Sequence, residues 1–315
     1  MDERPLSFEG FRGQVAAVRA LKVRISAALQ RGRPLGHLLL SGPPGTGKTT
    51  LAGIVAHHMG ARLIVSHGRS TCSADDMAGS LGCIAEGDVF FIDEIHGLPL
   101  QVEERLYTAL EDGRVEFLLG SGPEAETISQ TLPPCTFIGA TTDPGGIAPP
   151  LLDRFKSHIR LVPYSEAELC GIAHDWFTAA GVEFTPEVLP YLAARCKGVP
   201  RRLKSACEWA RDTALAYRLG VVTPEVAERG LREAGIHQHG LDAADIQYLR
   251  YLALQRAGEF VGLRTLASAL NTPARTLELL IEPELARLGF VDVAQGRGRK
   301  ATERASLYLA QEGVI

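Results

Sequence analysis

The chain alternates between two apolar rhythms. Short, continuously apolar runs end at polar or glycine-rich punctuation at 37–41, 62–66, 89–93 and 135–140. Runs of that length suit strands buried on both faces of a parallel sheet. Between them apolar residues recur at helical spacing over 18–30, 49–59 and 100–110. The first of these helices is closed by Gly32 and Pro34, a pair that stops helices. Strand and helix in alternation predict an α/β core, a parallel sheet covered by helices on both faces. After about Pro163 the rhythm changes. From 165 to 235 every pattern is helical, opened by caps such as Ser165-x-x-Glu168 and Thr185-Pro186-Glu187, which predicts a small helical lid domain. A second shift falls at Gly240. Helical segments at 242–257, 263–270 and 272–288 precede short strands at 290–294 and 300–302, joined by Gln295-Gly296-Arg297-Gly298-Arg299. Three helices and a β-ribbon predict a winged helix. The domain plan is 1–164 for the α/β core, 165–238 for the lid and 239–315 for the winged helix.

A chain of 315 residues exceeds the usual size of one core, in keeping with that plan. Its 45% hydrophobic and 22% charged residues are those of an ordinary globular protein. No apolar run approaches the roughly 20 residues needed to span a bilayer. Met1-Asp2-Glu3-Arg4-Pro5 has neither a basic nor an apolar leader region, so a cytoplasmic location is expected and no membrane partner. The six cysteines, at 72, 83, 135, 170, 196 and 207, show no C-x-x-C spacing, which favours reduced thiols over a disulfide framework or a zinc site. The net charge of −4 does not attract nucleic acid in bulk. Any contact with DNA must come from a local basic patch.

The chemistry gathers around Gly42-Pro43-Pro44-Gly45-Thr46-Gly47-Lys48-Thr49, between an apolar strand and a helix. In such a loop Gly45 and Gly47 let backbone N–H groups close around phosphates. Lys48 reaches the β- and γ-phosphates and the Thr49 hydroxyl ligates Mg²⁺, while the helix start adds its dipole. ATP and Mg²⁺ are the expected cofactors. Val89-Phe90-Phe91-Ile92-Asp93-Glu94 then delivers two carboxylates to the sheet edge: Asp93 for the metal, Glu94 to polarise the attacking water. Alone, Asp-Glu after a strand is as readily a solvated strand end; some 45 residues beyond such a loop it gains meaning. Thr142 closes the next strand. Arg154 is the candidate arginine finger, and Arg201 opens a helix from which it could touch the γ-phosphate.

Taken together these elements resemble the AAA+ ATPases, and within them the RuvB family of bacterial Holliday-junction branch-migration motors. The likeness covers nearly the whole chain. It runs from Arg4-Pro5 and Phe11-Arg12-Gly13-Gln14 through 42–50, 87–96 and Ala109–Asp112 to Ile138-Gly139-Ala140-Thr141-Thr142, 151–155, Tyr164 and Pro200-Arg201. It continues in Gly240-Leu241-Asp242, Val261-Gly262-Leu263, Glu282-Pro283, Gly289-Phe290 and Arg297-Gly298-Arg299. The resemblance implies Lys48, Thr49, Asp93 and Glu94 as the hydrolytic centre, Thr142 as first sensor and Arg201 as second. It implies Arg154 as a finger acting on a neighbour's nucleotide, hence a homo-oligomeric ring, a hexamer. Arg4, Gly45, Thr50, Glu111, Asp112, Gly113 and Tyr164 would line the nucleotide.

The segment 297–304 carries Arg297, Arg299, Lys300 and Arg304 against one acid, Glu303. A basic, glycine-containing wing can follow a phosphate backbone without reading sequence, and Arg275 is a further candidate contact. The partner expected from these residues and the resemblance is double-stranded DNA at a Holliday junction. By the same likeness, 120–134 is the hairpin that engages a RuvA-like junction-binding loader. Here it holds Glu124 and Glu126 where the family has basic and small residues, and Asp143 replaces the family's arginine. The function read from the chain is an ATP hydrolase that translocates DNA at junctions in recombination and repair. A clamp-loader-like ATPase and a nucleotide-gated DNA-binding scaffold are the rival readings; the basic wing argues against the first, intact Glu94 and Arg154 against the second.

Overall fold

The apolar runs at the start of the chain form the strands of one parallel sheet in the computed structural model, which describes residues 5–71, 73–119, 126–256, 259–294 and 296–314. Two compact units divide the chain, the first running to Glu168 and taking in Val199–Arg201, the second holding Leu169–Gly198 and the chain from Arg202. The first unit begins with α1 (Val15–Arg31), β1 (Leu38–Ser41), α2 (Lys48–Met59), β2 (Leu63–His67), α3 (Ala74–Gly82) and β3 (Val89–Asp93). It continues with α4 (Leu100–Asp112), β4 (Arg114–Leu119), β5 (Glu126–Thr131), β6 (Thr136–Thr141), α5 (Pro149–Arg154) and β7 (Ser157–Arg160). The five-stranded sheet has the order β2-β3-β6-β1-β7, with every neighbour parallel.

The period-two geometry of a strand explains why these runs are apolar throughout. Phe90 and Ile92 of β3, with Leu39 of β1 and Phe137 of β6, pack on one face against Met77, Leu81, Val102, Leu106 and Leu151. Val89 and Phe91, with Leu38, Leu40, Ile138 and Ala140, pack on the other against Leu21, Ile25, Leu51 and Val55. Each such phenylalanine contributes about 2 kcal/mol by leaving water. Gly32 ends α1 as its sequence suggests, in the left-handed region with its N–H donated back to Ala28 and Leu29. The short, half-polar β7, not expected from the pattern, is the edge strand beside β1. Register sets Ser41 beside Thr141 and His67 beside Asp93. The carboxyl ends of the strands, where open α/β sheets bind ligands, therefore line up. β4 and β5 pair as an antiparallel ribbon; the expected hairpin segment, 120–134, takes in only β5, since β4 precedes it, and 120–125 lies outside the described residues.

The helix α6 (Glu166–Ala179) leads into the second unit, followed by α7 (Val188–Ala193), α8 (Pro200–Ala216) and α9 (Pro224–Glu233). Ser165 and Glu168 form the reciprocal cap read from the sequence, each side chain accepting the other's backbone N–H. Next come α10 (Ala243–Ala253), α11 (Leu263–Ala269), α12 (Ala274–Thr276), α13 (Glu282–Arg287), β8 (Val291–Ala294), β9 (Gly298–Ala301) and α14 (Glu303–Gln311). Tyr248, Leu249, Leu266, Leu277, Leu285, Phe290 and Leu309 form the core of this winged helix. Two expectations are corrected and one helix is added. The single helix at 272–288 is interrupted by a π turn, Leu277–Ile281. Pro283 lacks the N–H that an unbroken helix would donate to residue 279, so the ladder widens there. The ribbon is tighter than read, β9 starting at Gly298, and α14 follows it. Asp242 and Asp245 make a capping box on α10. Asp245 also accepts from Lys197 at 2.5 Å, with side chains only 2% and 7% exposed, a buried pair whose loss of either member would strand a charge. Among the described residues no helix is long and apolar enough to cross a membrane.

Candidate functional site

The phosphate loop is bent by glycine. Gly42 has φ +146°, and a Cβ there would sit 2.4 Å from the Leu161 carbonyl oxygen, so no other residue fits that turn. Lys48 is buried and its ammonium donates to the carbonyls of Gly42 and Pro43, at 2.8 and 3.0 Å, spanning the loop. Burial lowers the Lys48 pKa, against the pull of Glu94 and Asp93, with Arg201 adding to the lowering. The start of α2 has no side-chain cap, as suits N–H groups meant for phosphate. Thr49 Oγ1 lies 3.5 Å from Asp93 Oδ2, a hydroxyl and a carboxylate close enough to share one hard cation. This donor set fits a magnesium nucleotide.

At the end of β3, Glu94 occupies the left-handed region at φ +50°, a strained backbone of the kind that clusters at functional sites and costs about 1–3 kcal/mol. Gly68 makes room for it: a side chain there would meet the Glu94 carbonyl oxygen at 2.2 Å. The Glu94 carboxylate is fixed by β6. Thr142 Oγ1 donates to Glu94 Oε2 at 2.9 Å. His96 Nδ1 lies 3.2 Å from the same oxygen and 2.9 Å from Thr141 Oγ1. The sheet order, with β6 between β3 and β1, brings Glu94, Thr142 and the loop to one edge.

The segment around Phe11 and Gly13, with Tyr164, also closes on the loop. A Cβ at Gly47 would stand 3.0 Å from the Phe11 ring, and one at Gly13 2.5 Å from Tyr164. Tyr164, buried, donates its hydroxyl to the Thr46 carbonyl at 3.3 Å. Val199–Arg201 belongs to this unit, and a Cβ at Gly45 would lie 2.7 Å from Val199 and 3.0 Å from Arg201. Thr50 lies half-buried on α2. Arg4 lies outside the described residues.

Arg154 and Glu111 form a second group. Arg154 Nε lies 2.5 Å from Glu111 Oε2, and its Nη2 donates to Tyr107 Oη at 2.8 Å. Asp112 and Gly113 end the same helix, α4. Sequence reasoning missed His96 and Tyr107. His96 stands two residues beyond Glu94, a signal that could have been used. Nothing in the sequence couples Tyr107 to an arginine 47 residues away.

On the winged helix the basic residues separate. Arg297 is exposed in the turn, and Arg275 is exposed on α12. Lys300 lies 3.5 Å from Asp292 and over the Phe260 ring. Arg299 departs from the expected phosphate contact. Its side chain is 11% exposed and donates to Glu282 at 2.6 Å and to Glu278 at 3.1 Å, while Tyr248 donates to the same Glu282. It is an internal strut of the wing. Arg299→Ala is accordingly expected to destabilise the protein by about 3 kcal/mol, since it strands a buried carboxylate. Arg297→Ala should leave unfolding within about 0.5 kcal/mol and lower the salt slope of DNA binding by about 1. Chemical denaturation and binding titrations over a salt series check both; an unchanged slope for Arg297→Ala would remove the wing tip from DNA contact.

A parallel sheet with a phosphate loop, paired acidic residues on the next-but-one strand, a helical lid and a winged helix define an AAA+ ATPase with an appended nucleic-acid-binding module. The family model for the Holliday junction DNA helicase RuvB P-loop domain matches residues 3–161, and that for the RuvB C-terminal winged helix domain matches 238–310. The chain belongs to the RuvB family. It is 39% identical over 306 residues to the Holliday junction branch migration complex subunit RuvB of Methanoregula boonei, covering 97% of this chain and 91% of that one. It is 41% identical to the protein of the same name from Acidothermus cellulolyticus, covering 97% and 83%. The solved Thermotoga maritima RuvB Holliday junction branch migration motor matches with a TM-score of 0.86 at 34% identity, covering 98% of each chain.

Proposed function

We propose that this chain is an ATP-driven motor that moves double-stranded DNA through Holliday junctions, working as a hexameric ring in recombination and repair. The observation that carries the hydrolytic part is the Glu94 carboxylate held by the Thr142 hydroxyl at 2.9 Å on the sheet edge beside the loop. Lys48 trades its loop carbonyls for the β- and γ-phosphates. Thr49 and Asp93 would hold Mg²⁺, which when bound would neutralise charge on the transferring phosphoryl group. Thr142 and His96 engage Glu94 Oε2, turning the carboxylate so that it accepts a hydrogen bond from a water in line with the γ-phosphate. Arg201, against Gly45, senses the same phosphate from the lid helix, and Arg154 serves the adjacent subunit. Arg297, Lys300 and Arg275 contact the DNA backbone, with binding independent of sequence.

The junction part is supported by the names of the relatives and by the winged helix behind the ATPase. A RuvA-like loader would meet the β4–β5 ribbon. The test is branch migration of a synthetic four-way junction with ATP and Mg²⁺, with and without such a loader. Strand exchange that stops with a non-hydrolysable ATP analogue is expected. DNA-stimulated hydrolysis with a stationary junction would overturn the motor reading in favour of a clamp-loader-like one.

A further inference from the structure

The finger is held before any neighbour arrives. Arg154 is the last residue of α5, where a long side chain with several rotatable bonds would sample many directions. Three contacts from α4 restrain it. Tyr107 Oη accepts from Nη2 at 2.8 Å, the guanidinium carbon stands 4.9 Å from the centre of the Tyr107 ring, and Nε lies 2.5 Å from Glu111 Oε2. That Nε makes no aligned hydrogen bond. Glu111 therefore holds the arginine by charge, whereas Tyr107 holds it by direction. Tyr107 and Glu111 are four residues apart on α4, hence on one face of that helix. Tyr107 is half-buried, while its neighbours Leu106 and Leu110 face the core. Its ring thus forms a platform between the core and the arginine.

We propose that Tyr107 is the positioning residue of the arginine finger: its hydroxyl and ring fix the plane of the Arg154 guanidinium, and Glu111 balances the charge until a neighbour's phosphate replaces it. This rests on the reading of Arg154 as a finger acting in trans. A carboxylate can be exchanged for a phosphate because both are anions that pair with a guanidinium. The tyrosine contact engages one N–H and the face, so it persists through that exchange. Directional control of this sort matters because small misplacements of a catalytic group cost large factors in rate.

The test uses mixed rings. Arg154→Ala subunits keep an intact site of their own and lack the finger; Glu94→Gln subunits cannot hydrolyse yet donate one. Turnover in the mixture then reports fingers donated by the second kind. Donors carrying Glu94→Gln alone should restore hydrolysis. Donors carrying Glu94→Gln with Tyr107→Phe should restore about a tenth of that kcat, as expected for one lost hydrogen bond to a charged group, with KM for ATP unchanged. Tyr107→Phe added to Arg154→Ala should change nothing further, and its thermal melting should match that of the parent. Equal restoration by both donors would overturn the role of Tyr107 while leaving the finger in place. Restoration by neither would overturn the trans reading itself, and the proposal with it.

Discussion

Glu94→Gln is expected to lower the kcat of ATP hydrolysis about a thousandfold, within the range for loss of a positioned general base, with ATP affinity within about threefold of the parent. Glutamine keeps the shape of the side chain and an oxygen for the Thr142 hydroxyl that donates at 2.9 Å. It loses the negative charge proposed to polarise water. The left-handed backbone at this position is set by Gly68 and the strand end rather than by the carboxylate, so the loop should hold its form. Lys48 and Thr49, proposed above to bind the phosphates and the metal, are untouched. Single-turnover hydrolysis and equilibrium titration with a fluorescent ATP analogue separate the two quantities. A kcat within tenfold of the parent would place the water-activating group elsewhere.

The parts of this site that were legible in the sequence are those whose chemistry is local. The phosphate loop and the Asp93-Glu94 pair each bring their function within eight residues, and the apolar runs beside them name the strands that carry them. Where function depends on which side chains meet, the chain is silent. Arg299 illustrates this. Counting charges along 297–304 gives a basic wing, but only the fold sets Arg299 against Glu278 and Glu282, one helical turn apart on a segment that precedes the ribbon. The alternation of a strand then turns its neighbour Lys300 the other way, toward Asp292. The β7 edge strand was missed for a related reason: Ser157-His158-Ile159-Arg160 buries one residue, so its pattern carries little apolar signal. The π turn before Pro283 was missed because its buried residues, Leu277, Ile281 and Leu285, recur every four residues, a spacing that an unbroken α-helix shows as well.

Arg154→Ala is expected to reduce turnover by roughly 10³–10⁵-fold, the span seen when an arginine finger is withdrawn, with little change in ATP affinity. The geometry favours action on a neighbour. Arg154 is occupied by Tyr107 and Glu111 of its own α4, whereas the loop's contacts run to Phe11, Tyr164, Val199 and Arg201. In the proposed ring, one group of residues would receive a nucleotide and the group around Arg154 would offer an arginine to the next subunit, as a head-to-tail contact allows. Two consequences distinguish this from a finger acting on its own nucleotide. Turnover per subunit of the parent should fall on dilution as rings dissociate, while the residual turnover of Arg154→Ala stays flat. Adding parent subunits to Arg154→Ala should raise activity above the sum of the two, because each parent subunit lends its arginine to a variant site. Strictly additive mixtures, together with concentration-independent parent turnover, would assign Arg154 to its own subunit or to structure alone.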